Sequence, residues 1–446
     1  MHLSQQLQRL ENAGTPIRVV VIGAGKFGCM YLAQAGNTPG VHIAAIVDLD
    51  IERCRSGLRR IGWPAEKFAA STLRHALDQG STYLTDRLES VLEHGEIDVV
   101  IDATGNVMAA VDHALMSIEA GKHVVMVTVE ADAVAGPVLA RHAAAAGVVY
   151  ALAFGDQPAL ICDLVDWART CGFKVTCAGK GTKYLPEYHQ STPDTIWRHY
   201  GFSEQQVESG DYNARMFNSF LDGTKSAIEM AVVCNSAGLQ PQEKGLLFPP
   251  CSIDRLPMVC VPDSAGGVLD RSGTVEVVSS LHRDGSEVEH NLRWGVYVTI
   301  ETDSDYVKRC FHEYGALMDP SGRFASLYRP THFIGLELGY SVAKAVLSRE
   351  ATGTPKDFNA DVVAVAKRDL VAGERLDGEG GYAVYGSLVG AQRSVGQNAL
   401  PLGLASDLVL INPIKAGHIV TWADVNAPGP SRVLDLRKQL ESSISE

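Results

Sequence analysis

The chain has 446 residues, 46% of them apolar and nine of them cysteine, with a formal net charge of −13. That length exceeds one ordinary core and predicts two or three domains, while the acidic balance argues against nucleic acid as a partner, because binding a phosphate backbone needs a basic surface. No apolar run approaches the ~18 residues of a membrane span, and scattered cysteines without a CxxC pair predict reduced, packed thiols in a cytoplasmic protein and no zinc site.

Leu3, Leu7 and Leu10 recur at helical spacing among polar residues, which predicts an amphipathic lead-in helix without the apolar core of a signal peptide. Ile17 to Ile22 then reads as a strand buried on both faces, and it runs straight into Gly23-Ala24-Gly25-Lys26-Phe27-Gly28 and a helical stretch. In a strand–turn–helix unit the first glycine makes the tight turn, the second admits a pyrophosphate and the third lets the helix pack closely. All six residues are candidate cofactor contacts, with the helix N-terminus offering unpaired N–H groups to phosphate. Asp48 ends a second apolar strand, 43–47, where an acidic residue meets an adenosine ribose. Asp48 favours NAD, whereas Arg53 and Arg55 are placed to pair with the extra phosphate of NADP, or else solvate a helix face.

Ile97 to Asp102 reads as a further buried strand, and Thr104, Gly105 and Asn106 follow at its ligand-binding end. A strand predicted over Lys122–Glu130 puts Glu130 near a nicotinamide ring, with Asp132 as a cap for a helix from Pro137. The nucleotide domain is expected over 1–155, a central catalytic α+β domain over 156–350 and a small β-rich domain over 351–446.

In the central part, Lys174 to Ala178 predicts a strand, and Gly179-Lys180-Gly181-Thr182-Lys183 an anion cradle or an ordinary surface loop beyond it. A single helix over 213–234 puts Asn218, Asp222, Lys225, Ser226 and Glu229 on one face, either the wall of a polar site or a solvated stripe with Lys225 and Glu229 paired. Arg329 and His332, with Tyr328 and Glu337, gather just before a helix predicted over 338–348; Arg329 suits an anionic substrate and His332 a proton transfer, or His332 caps or packs. Towards the C-terminus, Ala366–Leu376 and Asn412–Val420 form a weak internal repeat with an Ala-Gly turn.

The first ~150 residues resemble the nucleotide domain of homoserine dehydrogenases through Gly23–Gly28, Asp102-Ala-Thr-Gly105 and Val127-Thr-Val-Glu-Ala-Asp132, although Thr128-Val-Glu-Ala131 departs from their lysine-bearing motif. The C-terminal repeat resembles the β-clip module called SAF, which implies self-association or cover for the site. The whole combination resembles a group of deoxyxylulose phosphate reductoisomerase-like enzymes. That resemblance implies NADPH, a divalent Mg²⁺ or Mn²⁺ ion held by oxygen ligands from Asp156, Asp222 and Glu229, and a homodimer. It also implies a small phosphorylated sugar held by Lys180, Lys183 and Arg329, with Lys225 polarising oxygen or carrying a proton. Competing expectations are an NAD(P)-dependent dehydrogenase of a sugar acid or semialdehyde, and a non-catalytic sensor of NADP.

Overall fold

The computed structural model describes residues 2–209 and 212–444. They fall into two compact units: Met1–Leu160 with Phe333–Lys356 and Arg432–Gln439, and Ile161–His332 with Asp357–Ser431 and Leu440–Glu446. Chain order therefore does not map onto units as simply as three consecutive domains would.

In the first unit, strands β1 (Ile17–Ile22), β2 (Val41–Val47), β3 (Tyr83–Thr85), β4 (Val99–Asp102), β5 (His123–Met126) and β6 (Tyr150–Leu152) form a sheet of order β3-β2-β1-β4-β5-β6. All its neighbours run parallel. Alternation along β1 sorts the core into two layers. Val19 and Val21 pack with Ile43, Ile46, Tyr31 and Leu58 on one face, and Val20 and Ile22 with Val47, Leu88 and Val91 on the other. Helices on both faces make every central position apolar, which is why the strands read as unbroken β-branched runs. The lead-in helix Leu3–Ala13 forms as expected, with Leu7 buried.

The segment after residue 332 returns to this unit because its apolar face completes the same core, through Leu338, Val342 and Ala343. It also covers the open edge of β6. Leu152 N–H donates to the Gly353 carbonyl at 2.8 Å, and the Leu152 carbonyl accepts from the hydroxyls of Thr352 (2.6 Å) and Ser341 (3.2 Å).

In the second unit, β7 (Lys174–Thr182), β8 (Thr274–Ser279), β9 (Val296–Glu301), β10 (Leu317–Met318) and β11 (Phe324–Arg329) form a mixed sheet of order β10-β11-β9-β7-β8, in which only β7 and β8 are parallel. β12 (Ala360–Ala366) and β13 (Val384–Gly390) pair antiparallel. Helix Thr224–Ala237 packs against β8 and against β12 and β13, which explains its nearly complete burial. Asn235 pins β12 to it, accepting from the N–H groups of Asn359 (2.8 Å) and Ala360 (2.9 Å). The two C-terminal repeats meet at an antiparallel bridge between Leu370 and Ile414.

Two expected elements differ. The helix predicted over 213–234 is two helices, Ala214–Leu221 and Thr224–Ala237, broken at Gly223, whose φ of 88° no ordinary helix accommodates. Gly179 to Thr182, expected as a loop, lies inside β7.

Candidate functional site: a dinucleotide crevice and a buried polar array

The strand order of the first unit reverses between β1 and β4, so a crevice opens outside their carboxyl ends. Gly23 turns the chain there with φ 91°, and a Cβ on it would stand 2.7 Å from the Ala103 carbonyl oxygen. A Cβ on Gly28 would stand 2.0 Å from the Gly23 carbonyl, so only glycine lets helix Lys26–Ala35 dock on the turn. A Cβ on Gly25 would meet nothing within 4 Å. This glycine is the helix N-cap and brings no side chain to the amides behind it, which leaves them directed at a ligand.

Asp48 stands at the end of β2 and holds the turn. Its Oδ2 accepts the Ala24 N–H at 2.8 Å and its Oδ1 the Asp50 N–H at 3.0 Å. Asp50 caps helix Ile51–Arg60. On that helix Arg53 is exposed, while Arg55 Nε lies 3.3 Å from Glu52 Oε1.

Asp102 is the organiser that sequence reading passed over. Buried at the end of β4, its carboxylate accepts from the hydroxyls of Thr128 (2.6 Å) and Thr104 (2.8 Å) and lies 2.7 Å from His113 Nδ1. Thr128 in turn accepts the Gly105 N–H at 3.0 Å. Thr104 and Gly105 are thus fixed in the loop that lines the crevice. Asn106 instead caps helix Val107–Glu119 through the Ala109 N–H at 3.0 Å.

β5 stops at Met126 and a helix starts at Val129, so Glu130 and Asp132 lie in a first helical turn and not on a strand. Asp132 is not the cap. It is fully buried, accepts the Tyr150 hydroxyl at 2.7 Å, and burial holds its carboxyl well above the usual range.

The second unit collects the other candidates. Lys180, on β7, and Glu229, on helix Thr224–Ala237, form a buried ion pair. Asp222 Oδ2 lies 2.7 Å from Lys367 Nζ, and that ammonium also donates to the carbonyls of Ser191 and Gly381, each at 2.7 Å. Asn218 accepts the Ser191 hydroxyl at 2.6 Å and donates to the Ser191 carbonyl at 3.1 Å. Lys225 is half-buried, and Glu229 pairs with Lys180. The glycines flanking Lys180 serve strand packing and not anion contact: a Cβ on Gly179 would stand 1.8 Å from the Glu276 carbonyl, and one on Gly181 would stand 1.9 Å from that of Leu292.

The metal ligand set expected from Asp156, Asp222 and Glu229 finds no support: Asp222 and Glu229 are each already neutralised by a lysine, and among the described residues no three His, Cys, Asp or Glu side chains come together as a metal site.

Lys183, Arg329 and His332 each neighbour residues 293–295, a segment that carried no signal in the sequence. Lys183 donates to the His199 carbonyl and lies over the Tyr200 ring. Burial, and then the charge of Arg293, press its ammonium below the ordinary lysine range. His332 Nδ1 donates to the Trp294 carbonyl at 2.7 Å, and Gly295 lies tight against the Arg329 carbonyl, only 2.3 Å from where a Cβ would stand. Arg293 and Lys183 thus lie near enough for their charges to interact, while the contacts of His332 and Arg329 with this segment run through the backbone carbonyls of Trp294 and of Arg329 itself.

Residues 17–127 match the NAD-binding Rossmann fold of the GFO/IDH/MocA oxidoreductase family, and residues 155–338 match the catalytic domain of oxidoreductase DRL. No curated relative matches by sequence. Among solved structures, an oxidoreductase domain protein from Kribbella flavida is 20% identical over 38% of this chain and 43% of its own, with a TM-score of 0.27. KijD10, a 3-ketoreductase from Actinomadura kijaniata in complex with NADP, is 17% identical over 38% and 49%, with a TM-score of 0.25. The chain thus spans about half the length of these two. GenD2 from gentamicin A biosynthesis, in complex with NAD, is 14% identical over 76% and 89%, with a TM-score of 0.36. These distant likenesses carry no argument about activity. The two domain matches say what each part resembles: 17–127 a nucleotide-binding Rossmann fold, in keeping with the glycine turn at the switch point, and 155–338 a DRL catalytic domain. Among the described residues no helix is long and apolar enough to cross a membrane.

Proposed function

We propose that the protein is an NADPH-dependent dehydrogenase of a small, hydroxylated, anionic carbonyl compound: a sugar acid, a semialdehyde or a sugar phosphate. The observation that supports this reading is the partly desolvated ammonium of Lys183 with the charge of Arg293 acting on it. Arginine forks and a desolvated ammonium suit a carboxylate or phosphate, and fixing that end of a substrate orients its carbonyl. The Gly23–Gly28 turn and the helix behind it would hold the pyrophosphate of the dinucleotide, which when bound would supply or accept hydride. The preference for NADPH rests on exposed Arg53 beside the ribose-binding carboxylate of Asp48.

The test is loss of nicotinamide absorbance across a panel of sugar acids, semialdehydes and sugar phosphates. Arg293→Met and Lys183→Met are each expected to raise KM for the accepted compound roughly 10- to 100-fold, the worth of one charge-assisted hydrogen bond, while NADPH binding stays unchanged. Equal KM values in both variants would remove the anion from the reading.

A second reading rests on the resemblance of the sequence to reductoisomerase-like enzymes, carried by Gly179–Lys183 and Asn218–Lys225. In it, reduction follows a carbon–carbon rearrangement of deoxyxylulose phosphate to methylerythritol phosphate. Asp222 and Glu229, engaged by lysines, are not open oxygen ligands for a metal. Identification of the reduced product separates the two readings: an unrearranged skeleton supports the dehydrogenase, a branched one the reductoisomerase.

A further inference from the structure

The first unit holds a second concavity, at the end of β2 remote from Asp48. It has a volume of about 490 Å³ and is bounded by the lead-in helix, the loop 36–39, the start of β2 and the segments around Lys67 and Thr82. A cleft of that size suits a small ligand. Its walls are polar, and Lys67, His42 and Glu11 bring to them bonding capacity that the fold leaves unused.

Lys67 is half-buried beside Gly36, where a Cβ would stand 3.0 Å from its Nζ, so a glycine at the end of helix Lys26–Ala35 admits the ammonium. Nζ lies 4.2 Å from the centroid of the Trp63 ring. Among the described residues no carboxylate or carbonyl accepts from it. Burial presses its ammonium below the ordinary lysine range, as befits a cation that has given up water without gaining a counterion. The ring face and the helix C-terminus steady the charge but offset only part of that cost.

His42 Nε2 lies 2.7 Å from the Ser81 carbonyl. A carbonyl only accepts, so Nε2 carries the proton and Nδ1 of the neutral imidazole is left as an acceptor. Burial favours that neutral ring, with the charges of Arg18 and Lys67 adding to the effect against the Ser81 bond. Glu11, on the lead-in helix, accepts the Gly40 N–H at 2.7 Å through Oε2, and among the described residues no cation pairs with it. The cleft thus carries a lysine and a glutamate that form no ion pair with each other or with any other described side chain. An anion alone would gain Lys67 and meet Glu11, and a cation alone the reverse. A molecule bearing both charges satisfies the two at once.

We propose that this cleft binds a small zwitterion of the amino-acid class, its carboxylate on Lys67 and its ammonium on Glu11. His42 Nδ1 and the Gln8 and Asn37 amides are left to accept its remaining N–H or O–H groups. The site lies within the first unit and does not depend on the reading of function above.

The test starts with the wild-type protein and needs no turnover. Trace acetic anhydride labels neutral amines, and mass spectrometry of peptides reads the rate at Lys67 with each standard L-amino acid present in turn. Saturable, several-fold protection at tens of millimolar is expected from at least one of them. D-Gluconate and acetate, carboxylates without an ammonium, are expected to give none. Calorimetric titration of the protecting amino acid then compares wild type with Lys67→Gln and Glu11→Gln. Each is expected to weaken binding roughly 10- to 100-fold, the worth of one charge-assisted hydrogen bond, with melting temperature and NADPH affinity held. The amide of Glu11→Gln still accepts the Gly40 N–H, so the loop keeps that bond. Protection by gluconate or acetate as strong as by any amino acid, or unchanged affinity in Glu11→Gln, overturns the zwitterion. Labelling of Lys67 that is indifferent to every amino acid overturns the site.

Discussion

At the scale of single residues, the second unit holds its charges in pairs that no surface would need. Asp222 and Lys367 are both buried and 2.7 Å apart, and their worth is asymmetric. The intact pair contributes little against an apolar substitute, but removing one partner leaves a buried charge uncompensated, a loss of about 3–5 kcal/mol. Lys367→Met is therefore expected to lower the denaturant midpoint sharply, and the double variant Asp222→Asn with Lys367→Met to recover a large part of the loss. A Lys367→Met protein within about 1 kcal/mol of wild type would show that Asp222 keeps its charge hydrated or takes up a proton in the fold. None of this pairing was legible in the sequence. Asp222 and Glu229 read as open acidic donors because their lysine partners are distant in sequence, Lys180 on β7 and Lys367 just after β12, and only folding brings them together.

At the scale of elements, the strand–turn–helix at Gly23–Gly28 was legible because every contact that defines it is local. Each of its three glycines performs a different task, and substitution separates them. Gly28→Ala forces a Cβ against the Gly23 carbonyl and is expected to lower both thermal stability and NADPH affinity. Gly25→Ala adds a methyl to open space, so stability should hold while NADPH binding weakens tenfold or more. Titration of NADPH fluorescence beside melting curves would check this, and full affinity in Gly25→Ala would mean the pyrophosphate passes elsewhere. Where elements depend on distant neighbours the sequence misled. Gly179 and Gly181 resemble a loop by composition, but they lie within β7 because the Glu276 and Leu292 carbonyls crowd it. The polar stripe over 213–234 assumed an unbroken helix, and Gly223 divides it. Lys183, Arg329 and His332 were recognisable by residue type, but Arg293, whose charge acts on Lys183, carried no signal of its own.

At the scale of the whole molecule, both units bury an acid in an apolar setting, and this ties stability to pH. Asp132 in the first unit is raised well above its ordinary range, chiefly by burial. Glu276 in the second is raised from 4.5 to about 7, again by burial, although it accepts N–H groups from Leu247, Phe248 and Val277 and the Gln242 amide. A carboxyl raised in the fold binds its proton more tightly there than in the unfolded chain. Its contribution is full below the unfolded value and disappears as pH rises through the folded one. For Glu276 that window runs from 4.5 to about 7, and it amounts to a loss on the order of 3 kcal/mol. This opposes the usual carboxylate behaviour, in which paired acids destabilise the fold as pH falls. Calorimetric scans from pH 5 to 8 are therefore expected to show Tm falling with rising pH. Glu276→Gln, which keeps an acceptor for the Phe248 amide but has no proton to lose, should flatten that slope. Parallel pH dependences for the two proteins would mean that Glu276 is ionised throughout and that the four donors around it outweigh its burial.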